Sequence, residues 1–203
     1  MPMKSLITII FAFTFLQNFA QGYGQDGYQE KRYREAVEDL KNNELERAVM
    51  GFYFVNSYRT NELGVIALKK SDSILPFAQH NIRKKIIGKW ILSESGSNWG
   101  FKKENDSIVK KLLVIEYDKF SFYDLNLKTN EMTLTKSEKS LFTKNRDMRG
   151  LLFDFVFSDK TLWSFHYNEK TKTLKQIMTG EDSENGRSEM VCGNPEFIYT
   201  KIE

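Results

Sequence analysis

Three side chains are the usual candidates for catalysis in this 203-residue chain: His80, His166 and Cys192. A thiol nucleophile needs a general base and a group that orients the base, and the sequence identifies neither for Cys192. The two histidines are far apart in the sequence, and a lone histidine on a strand is more often a surface residue than a base. One cysteine and two histidines also cannot build a zinc site or a disulfide framework. We therefore expect a protein without catalytic residues, metal or cofactor.

An acidic segment that ends at Gly186 has the composition of a calcium-binding loop. With this glycine at the sixth loop position, the first, third and fifth ligands would be Glu181, Ser183 and Asn185. The twelfth position needs a bidentate carboxylate, and it is occupied by Cys192. This ligand set favours a solvated acidic loop over a calcium site.

The first twenty residues have the organisation of a secretory signal peptide. Lys4 gives a positive start, and the apolar run Ser5 to Leu16 follows it. The run is short for a transmembrane span, and no cysteine follows that could carry a lipid anchor. Cleavage after Ala20 and cleavage after Gly22 both fit the pattern. We predict that residues 1–20 are a signal peptide and that the protein is secreted or periplasmic.

The overall composition is that of an ordinary globular protein, with 40% hydrophobic and 28% charged residues. The formal net charge is only +3, whereas a nucleic-acid binder usually shows a stronger or more clustered basic excess. After the signal peptide, no hydrophobic stretch approaches the length of a membrane span. Nucleic acid is therefore not an expected partner, and no membrane span is expected.

Helical periodicity follows a polar, Gly-rich leader at residues 21–27, which we expect to be disordered. Apolar residues recur at spacings of three and four, which predicts helices over roughly 28–40, 45–58 and 63–74. The third helix is expected to stop before Pro76. Residues 28–84 are thus predicted to form a small helical array.

After roughly residue 85 the apolar period changes from about 3.6 to 2, which marks a change from helices to strands. Turn-forming residues separate eight candidate strands, at 88–95, 109–117, 119–126, 131–141, 151–157, 160–167, 172–178 and 196–202. Short strands without intervening helices imply an antiparallel meander, which closes naturally into an up-and-down barrel. A two-sheet sandwich is the alternative. We predict a mainly β domain over residues 85–203, preceded by the helices.

Two hairpins would place aromatic side chains on one face of this sheet. A two-residue loop in the first hairpin predicts that Ile115 pairs with Phe122, and a three-residue loop in the second predicts that Phe155 pairs with Trp163. The aromatic rings would then either fill a narrow barrel or line a cavity for one apolar small molecule. The candidate ligand-binding residues are Phe122, Phe153, Phe155, Trp163, Phe165 and Tyr167.

The first predicted strand opens with Gly88-Lys89-Trp90, and the last contains Phe197-Ile198-Tyr199-Thr200-Lys201. A Gly-x-Trp motif that opens eight antiparallel strands resembles the lipocalins and their wider calycin relatives. The resemblance covers about residues 84–203, and it implies that Trp90 closes one end of a barrel while Gly88 lets the chain enter without collision. The Thr-Asp-Tyr turn motif of typical lipocalins is missing, and the last strand has no arginine to cover the tryptophan, a position for which Lys201 is a candidate substitute.

Two functions remain in competition on these grounds. The first is a non-enzymatic lipocalin-like protein that binds a small apolar ligand in the barrel. The alternative is an interaction module with a plugged barrel, whose helical arm at residues 28–75 docks another protein. A cavity of a few hundred cubic ångströms would favour the first, and an exposed apolar patch on the arm would favour the second. A hydrolase built on Cys192 or on paired carboxylates is the least supported reading.

Overall fold

The computed structural model describes residues 27–105, 107–147, 149–190 and 192–202. The chain divides into two compact units, of which the first ends at Leu75 and the second begins at Pro76. The predicted signal peptide, and the predicted leader up to residue 26, lie outside the described residues. Residue 27, which was expected to be disordered, is already helical.

Three helices precede the strands: α1 at residues 27–41, α2 at Leu45–Tyr58 and α3 at Glu62–Ile86. In the first unit, Ala36, Val49 and Phe52 are fully buried, as their apolar spacing predicts. Gly51 allows a close approach there, because a Cβ at this position would lie 2.8 Å from the Cβ of Ala36.

The expected end of the third helix before Pro76 is wrong, because α3 continues through this proline to Ile86. Proline has no N–H to donate, so a helix interior loses a hydrogen bond at that point. Beyond it, Ala78, Ile82 and Ile86 recur every four residues and are buried. Packing of this apolar stripe outweighs the lost hydrogen bond and keeps the helix intact. The change from helix to strand thus falls close to residue 85, where the sequence period changes.

The second unit contains one antiparallel sheet of ten strands, with strand order β5-β4-β3-β1-β10-β8-β7-β6, and with β2 paired to β1 and β9 paired to β8. The strands are β1 (Gly88–Ser97), β2 (Gly100–Lys103), β3 (Val109–Ile115), β4 (Lys119–Asn126), β5 (Met132–Lys139), β6 (Phe155–Val156), β7 (Thr161–Asn168), β8 (Thr173–Ser183), β9 (Gly186–Glu189) and β10 (Glu196–Ile202). The predicted class, mainly β with helices before the sheet, is confirmed. The short hairpin strands β2 and β9 were not predicted.

The strand ladders leave the sheet open between its end strands, β5 and β6. The segment that follows β5 nevertheless contacts β6 through its backbone. Thr143 N–H donates to the Asp154 carbonyl at 2.9 Å, and Val156 N–H donates to the Leu141 carbonyl at 2.9 Å. Phe142 and Phe155 form an isolated bridge between these bonds. The chain after β5 therefore lies beside the opposite end of the sheet.

The two predicted hairpin registers have different outcomes. The Phe155–Trp163 pair is confirmed. The Ile115–Phe122 pair is wrong by two residues, because the turn lies one residue earlier than predicted: Ile115 pairs with Phe120, and Glu116 N–H donates to the Lys119 carbonyl at 2.9 Å. Side chains alternate with a period of two, so a shift of two residues leaves every side chain on its predicted face.

Trp90 is fully buried, and its surroundings explain the Gly-x-Trp motif. Its indole N–H donates to the Ile86 carbonyl at 2.9 Å, and the Lys201 ammonium lies 5.4 Å from the ring centroid. Gly88 has φ of +147°, which only glycine adopts readily, and a Cβ there would lie 3.1 Å from Lys201 Cε. The glycine thus allows both the turn out of α3 and the approach of the lysine that covers the tryptophan.

We expect Trp90→Ala to lower the free energy of unfolding by about 3–5 kcal/mol, because it leaves a core cavity and an unpartnered Ile86 carbonyl. The measurement is urea unfolding followed by far-UV circular dichroism. Trp99→Ala is the matched control, since the Trp99 side chain is 78% exposed and its removal should cost little. Equal unfolding midpoints for the two variants would contradict a structural role for Trp90.

Candidate functional site

Aromatic side chains from both halves of the sheet form a packed cluster on one of its faces. The ring of Phe120 lies 5.0 Å, centroid to centroid, from Phe155 and 5.0 Å from Phe165. Phe142 stacks on Phe155 at 4.2 Å. Phe120 and Phe155 are fully buried and Phe165 nearly so. This part of the interior is filled by its own side chains.

Beside the packed cluster lies a mainly apolar cavity of about 350 Å³. Its size is within the range of small-molecule sites. A series of ring contacts runs along its wall from Phe122 through Phe157, Trp163 and Phe197 to Tyr199, with successive centroids 5.9–6.5 Å apart. The remaining lining residues are Leu92, Lys111, Leu112, Tyr123, Thr135, Lys136 and Gln176.

Three irregularities in strand pairing occur at residues that line this cavity. They lie between Leu92 and Glu94 on β1, between Phe122 and Tyr123 where β4 pairs with β5, and next to Trp163 where β7 pairs with β8. Bulges bend a strand and redirect its side chains, and they are enriched beside functional sites. Their position here keeps the strands curved around an empty volume.

The structure separates the six predicted ligand-binding residues into two groups. Phe122 and Trp163 line the cavity. Phe155 and Phe165 belong to the packed cluster, while Phe153 and Tyr167 are half-buried against it. Tyr167 also packs edge-on against Trp90, with 5.7 Å between the ring centroids.

Two lysines on the cavity wall are already paired with carboxylates. Lys111 Nζ lies 2.7 Å from Asp124, and Lys136 Nζ lies 3.0 Å from Glu138 and 3.3 Å from Asp159. Burial opposes the charged form of Lys136, but the hydrogen bonds and charges of the two acids outweigh it and raise its pKa. The two cations therefore face three anions, and the wall offers no excess positive charge.

Gln176 is the most buried polar side chain on the cavity wall, with 2% of its surface exposed. It pairs across the sheet with Phe165 on β7 and with Phe197 on β10, so it lies where the packed cluster meets the cavity. The Tyr199 hydroxyl donates a hydrogen bond of 2.8 Å to its amide oxygen. Burial raises the pKa of Tyr199 far above its usual value, so this hydroxyl keeps its proton and remains a donor.

Sequence reasoning missed Gln176 and Tyr199 as parts of the site, although their spacing carried a signal. Leu174, Gln176 and Met178 alternate along one strand, and Phe197, Tyr199 and Lys201 alternate along the next. A single polar residue in such an alternating apolar series points to a polar function on the buried face. Lys111 and Lys136 had no comparable signal, because lysines are frequent at strand positions throughout this domain.

The residues first considered for catalysis do not assemble with the cavity. His166 is exposed and lies 2.8 Å from the Ser164 hydroxyl, and Cys192 is exposed. The acidic segment forms the β8–β9 hairpin, with Ser183 paired to Gly186. Within the described residues, no group of three or more His, Cys, Asp or Glu side chains is placed to hold a metal ion.

A buried ion cluster lies around Arg187. Its guanidinium contacts Asp154, and its Nε lies 2.5 Å from Glu189. Burial raises the pKa of Glu189, against the opposing effect of the Arg187 charge. The arginine side chain is nearly inaccessible, so this cluster ties the β8–β9 hairpin to the chain before β6 and is not open to a ligand.

No family model matches the sequence, and a search of curated proteins finds no significant match. Over the residues that the structure describes, no helix is both long enough and apolar enough to cross a membrane. The function must therefore be inferred from the fold and the cavity.

We expect Phe155→Trp to lower the free energy of unfolding by about 1–3 kcal/mol, because the larger ring overpacks the filled cluster. Phe122→Trp should cost less, because the added ring can extend into the cavity. Both values come from urea unfolding under identical conditions. Equal costs at the two positions would contradict the division of the interior into a filled part and an open part.

Proposed function

We propose that this protein is a non-enzymatic, divergent lipocalin-like protein that binds a small apolar ligand in the cavity of its β domain. The observation that carries the proposal is the cavity of about 350 Å³ with its series of five aromatic rings. Of the residues predicted from the sequence, we assign Phe122 and Trp163 to ligand contact. Such a site gains affinity from apolar burial and needs few polar contacts for orientation.

The lipocalin-like barrel is itself part of the proposal. It is supported by the buried Trp90 with its covering Lys201, and by the backbone bonds between Leu141, Thr143 and the β6 region. In this arrangement the Trp90 end is the filled end of the barrel, and the ligand enters from the end where β1 leads into β2. The apolar leader at residues 1–20 supports secretion or export to the periplasm.

N-phenyl-1-naphthylamine, a neutral apolar dye, should bind the full chain with a rise in fluorescence, and Phe122→Trp should weaken this binding by filling the cavity. Phe77→Trp is the control, because Phe77 is 66% exposed and does not line the cavity. Native mass spectrometry of protein purified from its own host should also show a co-purified small molecule. Failure of the dye to bind the wild-type chain would refute the proposed function.

The second candidate function is protein docking through residues 28–75, and one observation favours it. Tyr28, Phe54 and Tyr58 form an exposed aromatic patch, with Tyr28 lying 5.2 Å from Tyr58 and 6.3 Å from Phe54 between ring centroids. The Arg32 guanidinium lies 5.2 Å from the Phe54 centroid. Aromatic residues and arginine are enriched in protein interfaces.

A photo-crosslinking residue in place of Met50, which is exposed on α2, tests this candidate in the native host. Docking through the arm predicts a discrete protein adduct that disappears in a Phe54→Ser, Tyr58→Ser variant. Dye binding in the β domain should be unchanged in the same variant. An adduct that persists when both aromatic residues are replaced would argue against docking through this patch.

A further inference from the structure

The Gln176 amide has one half of its hydrogen-bonding capacity fixed by the protein and the other half free. Its oxygen accepts from the Tyr199 hydroxyl, whereas its nitrogen has no acceptor among the described residues. This nitrogen is not fully enclosed. Among the described residues, the polar side-chain atoms that are both fully enclosed and without a hydrogen-bond partner belong to Arg187, Glu189 and Glu196. Because Gln176 lines the cavity, the free N–H groups are accessible from it.

We propose that the ligand is a neutral apolar molecule carrying a carbonyl or ether oxygen, and that this oxygen accepts a hydrogen bond from the Gln176 amide nitrogen. The inference rests on the proposed function and adds the chemical class of the ligand. A ligand that covers this donor without offering an acceptor would leave it unsatisfied, which is costly, so a ligand that supplies the acceptor gains affinity over one that does not.

The positions around Gln176 fix the orientation of this contact. Phe165 and Phe197 flank it on the neighbouring strands, and Tyr199 holds the amide by its oxygen. An amide held in this way presents a donor toward the cavity, and rotation would break the bond to Tyr199. The apolar body of the ligand then lies against Phe122 and Trp163, and its oxygen lies beside the Gln176 amide nitrogen.

The charges on the wall exclude a carboxylate as the preferred head group. Lys111 is paired with Asp124, and Lys136 is shared between Glu138 and Asp159. A ligand anion would meet two cations that already face three anions, and it would have to lose its hydration shell to enter. A neutral acceptor avoids this cost.

Three dyes of the same shape test the proposal on the full chain. Prodan carries a ketone on a dimethylaminonaphthalene ring, its propyl analogue has a methylene in place of the ketone, and dimethylaminonaphthoic acid carries a carboxylate. We expect the wild-type chain to bind prodan about tenfold more tightly than the propyl analogue, as one satisfied buried donor implies. The carboxylate should bind most weakly.

Gln176→Leu should remove the preference for the ketone by weakening prodan binding about tenfold, while binding of the propyl analogue is retained. Prodan emission should also shift to the blue, because its ketone no longer accepts a hydrogen bond. Tyr199→Phe frees the amide to rotate and should reduce the preference only in part. Gln79→Leu is the matched control, since Gln79 donates to the Leu152 carbonyl and does not line the cavity.

Equal binding of prodan and the propyl analogue to the wild-type chain would overturn the role of Gln176 and leave the apolar cavity standing. Tighter binding of the naphthoic acid would overturn the neutral ligand class. If none of the three dyes binds, the proposed function fails together with this inference. The comparison of dyes on the wild-type chain requires no variant to fold.

Discussion

The contact of Phe120 with Phe155 and Phe165 is the interaction on which the β domain depends. Phe120 belongs to β4, whereas the other two rings come from β6 and β7, at the opposite end of the strand order. Rings can meet across that distance only when the sheet curls strongly. The contact therefore fixes how far the sheet must curl, and it buries Phe120 and Phe155 completely.

Gln176 lies at the boundary between the filled and the open part of the interior. On one side of it, phenylalanine rings pack against each other, and on the other side aromatic residues stand around an empty volume. The amide, held by Tyr199, places a polar group at the boundary between these two parts, and on the proposed function this is the group that a ligand would meet.

Much of this architecture could be predicted from the sequence, because alternation fixes which face a side chain takes. The Phe155–Trp163 register followed from a three-residue loop. The error in the register of Ile115 left every side chain on its predicted face, because the shift was two residues. The predicted helix end before Pro76 was wrong, because tertiary packing keeps α3 continuous through this proline. The division between filled and open interior could not be predicted, because it depends on bulges whose positions leave no local signal in the sequence.

The position of β10 in the sheet has a consequence for biosynthesis. This strand lies between β1 and β8, and it pairs Lys89 with Ile202. Until residues 196–202 leave the ribosome, the hairpins on either side have no common strand, and one edge of β1 remains open to other chains. The sheet of this domain therefore cannot be completed before its last strand has been synthesised, and such non-local pairing is slow and exposes the chain to aggregation. Until β10 is in place, the edge of β1 from Lys89 to Gly96 is the part of the domain through which two incomplete chains could pair.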